Sequence, residues 1–147
     1  FSTTIDTSVG GVLEIIPPAE DFLGTVGQIT VPPQGGTGVQ VTVTASLFGT
    51  PGEVDATCGG NVCIGQGIEW GVSDPSAIHR MRIAFFLSRS LVRHRDLKHA
   101  VVYKDGIPLP NCTSWASTGC VLFRTKTPHG GWWITIRVNG DDPKGRI

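Results

Sequence analysis

Apolar and polar residues alternate along two stretches of the chain, as expected for β-strands that turn one face to a core and the other to water. In the segment 39–47, apolar residues at every second position are separated by Gln, Thr and Ser. The segment 132–138 follows the same pattern, which predicts that Trp132 is in the core and Trp133 on the surface. The side chains predicted to be buried are Val41, Val43, Leu47, Ile83, Phe85, Trp132, Ile134 and Ile136.

Six shorter apolar segments are further candidate strands, and clusters of Gly, Pro, Asn and Asp lie between most of them. Seven to nine short strands joined by frequent turns are typical of an all-β, two-sheet antiparallel β-sandwich. The segment 90–99 is the only candidate helix, and it fits a loop or a single turn equally well. The six shorter candidates are the segments 12–16, 28–31, 68–72, 80–88, 100–104 and 121–125.

The composition agrees with one β-rich domain that covers residues 1–147. Charged residues make up 16% of the chain, below the usual value of about 25%, whereas Gly reaches 20 residues and Pro 10. The chain begins at Phe1 without Met or a signal peptide and ends in a polar run, so we expect a module excised from a longer extracellular protein. No apolar run approaches the roughly 20 residues that a membrane span requires.

The four cysteines form two close pairs, Cys58 with Cys63 and Cys112 with Cys120. Short loops rich in Gly, Ser and Thr favour two local disulfides among the three possible pairings. The alternative is a four-cysteine zinc site, although the seven residues between the second pair exceed the usual metal-ligand spacing. Disulfides would place the module outside the cytosol, in the extracellular space or at the cell surface.

The C-terminal third carries a family resemblance. The stretch from Val101 to Cys112 leads through Asp105-Gly106 to a first cysteine, and Gly119-Cys120-Val121 opens the next strand. This arrangement resembles the end of Ig-like β-sandwich modules in large secreted bacterial proteins. The resemblance implies an extracellular sandwich with a disulfide near its end and supports the pairing of Cys112 with Cys120. It implies no activity.

Charge is distributed unevenly along the chain, although the net charge is zero. Residues 1–79 contain eight acidic residues and no Lys or Arg, whereas residues 80–147 contain all twelve basic residues and four acidic ones. The basic segment could be a patch for polyanions or for self-association, or its charges could pair with the acids of the first half. Nucleic acid is not expected, because few aromatic residues are interleaved with the basic ones. The patch consists of Arg80, Arg82, Arg89, Arg93, Arg95 and Lys98.

No catalytic motif is present, so we expect no enzyme and no cofactor. Nucleophile elbows, zinc-protease helices and phosphate-binding glycine loops are all missing from the sequence. The string His94-Arg95-Asp96 matches part of a kinase catalytic loop, but the rest of the kinase machinery is absent. Acids in loops leave two alternatives open, hydrolysis by paired carboxylates and a calcium site. These acids are Glu53, Asp55, Glu69 and Asp74.

Two tryptophans are predicted to lie outside the core. Trp115 lies in the loop between Cys112 and Cys120, and Trp133 is on the outward face of its strand. The leading hypothesis is a non-catalytic extracellular module for cell-surface or matrix assembly and adhesion, which associates with itself or with neighbouring protein modules. The alternative is a carbohydrate-binding module in which Trp115 and Trp133 stack on sugars. Coverage of both rings by neighbouring loops would exclude that stacking.

Overall fold

A computed structural model describes residues 1–16, 27–49, 53–87, 100–104, 106–114, 118–127, 131–138 and 144–145. These residues form β-strands and two short 3-10 turns, and no helix among them is long and apolar enough to span a membrane. The candidate helix 90–99 lies outside the described residues. The strands are β1 (Ser2–Asp6), β2 (Gly11–Ile15), β3 (Gly27–Val31), β4 (Gln40–Phe48), β5 (Gly67–Val72), β6 (Met81–Leu87), β7 (Tyr103–Lys104), β8 (Ile107–Pro108), β9 (Cys120–Lys126), β10 (Trp132–Val138) and β11 (Lys144–Gly145).

The strands pair in antiparallel sheets. One sheet has the order β1-β4-β5, extended by the two-residue β11, and a second has the order β2-β3-β6-β10-β9. Strands β7 and β8 form a small separate hairpin. The prediction of an all-β chain with antiparallel sheets is therefore confirmed. An Ig-like sandwich of seven to nine strands is not confirmed, since eleven strands are described and their order differs from the ABED and CFG sheets of Ig constant domains.

One hydrophobic core joins the two larger sheets. Its side chains come from alternate positions of strands in both sheets, including Val43 of β4 and Ile83 of β6. The two sheets approach closely where β3 carries Gly27, because a Cβ there would lie 2.5 Å from the Cδ1 atom of Ile68 in β5. Of the eight side chains predicted to be buried, Leu47 and Trp132 are half-buried and packed against this core. The other six are buried as predicted.

Strand β10 is covered on both faces. Its inner face is buried as predicted, but Thr135 and Arg137 on its outer face are only 5% and 4% exposed. Trp133, predicted to lie on the surface, is half-buried. The alternation placed each side chain on the correct face, so no register slip occurred. The exposure was wrong because β10 lies between β6 and β9, whose outer side chains flank those of β10.

Both local disulfides are present, and the prediction of these pairs is confirmed. The Cys58–Cys63 disulfide closes a compact turn that lies against the β7–β8 hairpin. Asn61 in this turn donates a 3.0 Å hydrogen bond to the Tyr103 hydroxyl, and Gly59 adopts a left-handed φ of 62° beside the same ring. The first disulfide therefore fixes the connection between β4 and β5 of the four-stranded sheet.

Candidate ligand-binding face of the five-stranded sheet

The outer side chains of β3, β6, β10 and β9 form three cross-strand rows, which are fixed by the strand register. The middle row consists of Gln28, Ala84, Thr135 and Phe123. The row on one side of it consists of Thr30, Arg82, Arg137 and Cys120. The row on the other side consists of Phe86, Trp133 and Thr125. Neighbours within a row are close enough to contact each other and a common ligand.

A hollow forms on this face because small side chains lie between large ones. Ala84 and Thr135 occupy the centre of the middle row. The larger side chains of Arg82, Phe123 and Trp133 surround them. The hollow has a volume of about 290 Å³. Its lining consists of Gln28, Thr30, Arg82, Ala84, Phe123, Thr125, Trp133 and Thr135.

A β-bulge in β9 turns Phe123 towards this hollow. Thr135 pairs with Phe123 but the next residue, Ile136, pairs with Val121, so Leu122 is the extra residue. On a regular strand Phe123 would share the inner face with Val121, whereas here its side chain is 45% exposed. The bulge also turns Arg124 to the opposite face, where its guanidinium donates a hydrogen bond to the Ala100 carbonyl. Burial lowers the pKa of Arg124.

A second hollow adjoins the first and has a volume of about 430 Å³. Both hollows share Arg82 and Phe123, so together they offer a continuous surface. The combined size matches small-molecule sites, which typically measure about 300 to 1,000 Å³. The second hollow is lined by Arg82, Cys112, Thr113, Ser114, Leu122 and Phe123.

The second disulfide positions one wall of that hollow. Cys112 donates its backbone N–H to the Val121 carbonyl at 2.9 Å, and Val121 donates to the Pro110 carbonyl at 2.8 Å. These bonds hold the chain beside β9, and the Cys112–Cys120 disulfide ties it there with a Cα–Cα distance of 5.0 Å. The two disulfides therefore have different places in the fold, and only the second contributes to the lining of the hollows.

Positive charge concentrates at one end of the face. Arg82 and Arg137 are directly opposite each other on β6 and β10, and Arg80 precedes Arg82 by two residues. Burial lowers the pKa of Arg137, and the charges of Arg82 and Arg80 lower it further. Arg82 is exposed and forms no ion pair within the described part of the chain. Arg80 and Arg82 are both exposed, so they give this end of the face a positive charge that attracts anions.

Aromatic rings lie at the other end and along the edge. Phe86 and Trp133 face each other across β6 and β10, with ring centroids 5.1 Å apart and planes tilted by 45°. Such a pair stabilises the ring positions by about 0.5 to 1.5 kcal/mol beyond simple burial. Phe123 lies at the edge strand and remains accessible. The hollow therefore has apolar ring surface on two sides and a cation at one end.

The residues singled out in the sequence fall in several places. Trp133 lines the first hollow, but Trp115 lies outside the described residues. Arg80 and Arg82 lie at the cationic end. The remaining members of the basic patch, Arg89, Arg93, Arg95 and Lys98, lie outside the described residues.

The candidate acids do not converge at either hollow. Asp55 accepts hydrogen bonds from the backbone N–H and hydroxyl of Thr57, and Asp74 accepts one from the Ser76 hydroxyl. Glu53 lies before the first disulfide, and Glu69 is exposed on β5 of the four-stranded sheet. Among the residues that the structure describes, no three His, Cys, Asp or Glu side chains are grouped so that they could hold a metal ion.

Two residues of this face escaped the sequence prediction, Phe123 and Arg137. Phe123 was missed because a regular alternation places it in the core together with Val121. The signal that could have found it is the run of three apolar residues at 121–123 followed at once by Arg124, which a simple two-residue period cannot accommodate. Arg137 was missed because its position opposite Arg82 depends on strand order, which the sequence does not reveal.

Comparisons with known proteins identify no relative of this chain. No family model matches the chain, and no curated protein or solved structure shows significant similarity to it. The function of this face therefore follows from its own geometry and chemistry.

Proposed function

We propose that this chain is a non-catalytic extracellular module that binds a saccharide on the outer face of its five-stranded sheet. The observation that carries the proposal is the pair of adjoining hollows with Phe123 between them. The proposal takes the chain as a module of two packed antiparallel sheets, located at the cell surface or in the extracellular space. It favours carbohydrate binding over the adhesive assembly that the sequence first suggested.

The lining matches the chemistry of sugars. A pyranose ring has apolar C–H faces and a rim of hydroxyl groups, so its sites combine flat aromatic surface with hydrogen-bonding side chains. Phe123 and Trp133 supply ring surface, and Gln28, Thr30 and Thr125 supply polar groups beside it. These three polar side chains form no hydrogen bond within the described part of the chain, so they can serve a ligand.

Two further observations support a binding role outside the cytosol. The described lining of both hollows contains no carboxylate, whereas hydrolysis by paired carboxylates needs two in one cleft. The two disulfides are of the kind found in oxidising compartments.

A comparison of two exposed apolar residues tests the proposal. Phe123 lies between the hollows and is 45% exposed, and Ile107 lies on the β7–β8 hairpin and is 67% exposed. On an array of plant, bacterial and animal glycans, the unmodified chain should bind at least one class. Phe123→Ala should reduce the affinity for that class about tenfold, as expected for loss of one stacking ring, whereas Ile107→Ala should leave it unchanged. An array without any signal, or equal losses in both variants, would contradict the proposal.

Self-association is a second candidate, favoured by where the charges lie. Asp6 and Glu69 are on strands of the four-stranded sheet, whose one described basic residue in a strand is Lys144, opposite Glu69. Glu53, Asp55 and Asp74 are in connections that flank β4 and β5. The described basic residues of the larger sheet are Arg82, Arg124, Lys126 and Arg137. Glu14 on β2 is the one described acid in a strand of that sheet. Opposite charge on two different sheets favours a head-to-tail contact between copies.

Light scattering over a salt series tests this second candidate. If copies associate through opposite charges, the apparent mass should fall towards that of a monomer as sodium chloride rises to roughly 0.5 M, where screening acts within a few ångströms. Glu69→Gln should weaken the association at low salt, because it removes one charge from the acidic sheet. A monomer at every salt and protein concentration would refute self-association and would leave saccharide binding as the function.

A further inference from the structure

We propose that the ligand of this face is an acidic saccharide and that the exposed guanidinium of Arg82 binds its acidic group. This inference rests on the proposed function, because it specifies which saccharide the same hollows would take. The carboxylate of a uronic acid and a sulfate ester on a sugar share the required chemistry, an anion attached to a ring. Neutral saccharides lack it.

Arg82 is at the position where such a group would arrive. Its side chain lines both hollows, and so does Phe123. A sugar ring that stacks on Phe123 would therefore have Arg82 within reach of its substituents. Thr30 is directly opposite Arg82 on β3 and can add a hydroxyl to the same acidic group.

The charges around Arg82 favour binding of an anion next to its guanidinium. Arg137 is opposite it and almost fully buried, and Arg80 is close enough to repel Arg137. Arg80 is exposed and lies two residues before Arg82, so an arriving anion gains attraction from its charge in addition to its direct contact with Arg82.

The geometry of guanidinium favours the proposed groups. Arginine presents its N–H donors in a planar fork that can make two parallel hydrogen bonds to a carboxylate or a sulfate. Because Arg82 has no ion pair within the described part of the chain, binding need not displace an internal partner. Lysine at this position would supply the charge without the fork.

The charges on this face also determine the orientation of a bound acidic saccharide. Glu14 on β2 is the outward-facing acid of this sheet among the described residues, and Gln28 on β3 lies between it and Ala84. Two strand spacings, about 10 Å, separate β2 from β6. The acidic group of a ligand is therefore attracted to the Arg82 end and repelled from the β2 edge.

The test compares one saccharide in charged and uncharged form. Oligogalacturonate and the same oligosaccharide with its carboxylates methyl-esterified have identical rings, and a sulfated galactan oligosaccharide tests the other acid. Calorimetric titration should show that the intact chain prefers a charged form by about tenfold or more, the range expected for a charge-assisted pair. Arg82→Gln should remove that preference, and Arg82→Lys should restore only part of it.

Lys126→Gln is the matched control for charge alone. Lys126 is exposed on β9 and lines neither hollow, so its loss lowers the net charge equally and should leave affinity for the acidic probe unchanged. Equal losses in the Arg82 and Lys126 variants, or equal binding of single-stranded DNA, would overturn the inference in favour of a general polyanion surface.

The remaining outcomes separate the inference from the proposed function. Binding of the methyl ester as tightly as the acid, unaffected by Arg82→Gln, would refute the acidic-ligand inference and retain saccharide binding. Absence of binding by every saccharide, charged or neutral, would refute both. Circular dichroism and thermal unfolding of each variant establish that the compared proteins are folded.

Discussion

The outer faces of the two sheets differ, although both belong to strands that bury their inner faces in one core. The four-stranded sheet presents short polar side chains outward, with Thr42, Thr44 and Ser46 on β4 and Glu69 opposite Ser46 on β5. The five-stranded sheet presents large rings and arginines around two small central residues. Alternation determines which side chains face outward. The sizes and charges of those side chains determine whether the face is flat or contains a pocket.

The same comparison applies to single strands. Strand β4 is exposed at each outward position from Gln40 to Ser46, whereas β10 is buried on its outer side at Thr135 and Arg137. Both strands show a similar two-residue alternation in sequence. A pattern of this kind therefore predicts orientation well and exposure poorly, because exposure depends on the side chains of neighbouring strands.

The inner faces of the two sheets should contribute equally to stability, in contrast to their different outer faces. Ile68 on β5 and Ile136 on β10 are both fully buried in the shared core, one in each sheet. Ile68→Ala and Ile136→Ala should each lower the free energy of unfolding by about 2 to 5 kcal/mol, because truncation leaves a cavity. Urea unfolding measures this. Thr44→Ala on the exposed side of β4 is the control and should change stability by less than about 0.5 kcal/mol.

A small loss for one isoleucine and a large loss for the other would contradict the single shared core. The sheets would then contribute to stability separately.

The two disulfides should contribute similarly to the stability of the protein but differently to ligand binding. Each closes a short loop, so replacing either pair with serines should lower the free energy of unfolding by roughly 2 to 3 kcal/mol. Only the Cys112–Cys120 pair holds a wall of the hollows. Its double serine variant should therefore lose saccharide affinity, whereas the variant of Cys58 and Cys63 should retain it. Titration calorimetry below each variant's unfolding temperature measures the difference, and equal affinity in both would show that the wall is dispensable.

The sequence predicted most of the longer strands, both disulfides and the residues of the inner face, because each depends on local pattern or spacing. Val41, Val43, Ile83 and Ile136 were predicted to be buried from alternation and are buried. The hollow could not be predicted, because its residues come together only through the order β3-β6-β10-β9. Strand β1 was missed because Ser, Thr and Asp dominate it, so its apolar face is reduced to Ile5.

The aromatic pair on the larger sheet should act as a unit. Phe86 and Trp133 are in contact at 5.1 Å, so a double-mutant cycle with Phe86→Leu and Trp133→Leu should give a coupling energy of about 0.5 to 1.5 kcal/mol. A cycle with Ser46→Ala and Glu69→Gln on the smaller sheet should give a coupling near zero, because exposed polar neighbours contribute little. Equal coupling on both sheets would contradict the distinction drawn between their outer faces.

Asp6 gives the smaller sheet a weak dependence of stability on pH. Its Oδ1 atom accepts a 2.7 Å hydrogen bond from the Ser8 hydroxyl and a 2.9 Å bond from the Ser8 backbone N–H. These bonds, the hydroxyl bond first, lower the pKa of Asp6 despite a small opposing effect of burial. Because the folded pKa is below the unfolded value of about 3.9, the stabilisation is present above that pH and is lost as pH falls through the folded pKa.

Ser8→Ala tests this response directly, since it removes the stronger of the two bonds and should raise the pKa of Asp6 towards its ordinary value. An NMR titration of the Asp6 carboxyl carbon measures the shift, and Ser46→Ala on the same sheet is the control, because Ser46 is remote from Asp6 in strand register. An Asp6 pKa that is the same in the Ser8→Ala and unmodified chains would show that the carboxylate is not held by Ser8.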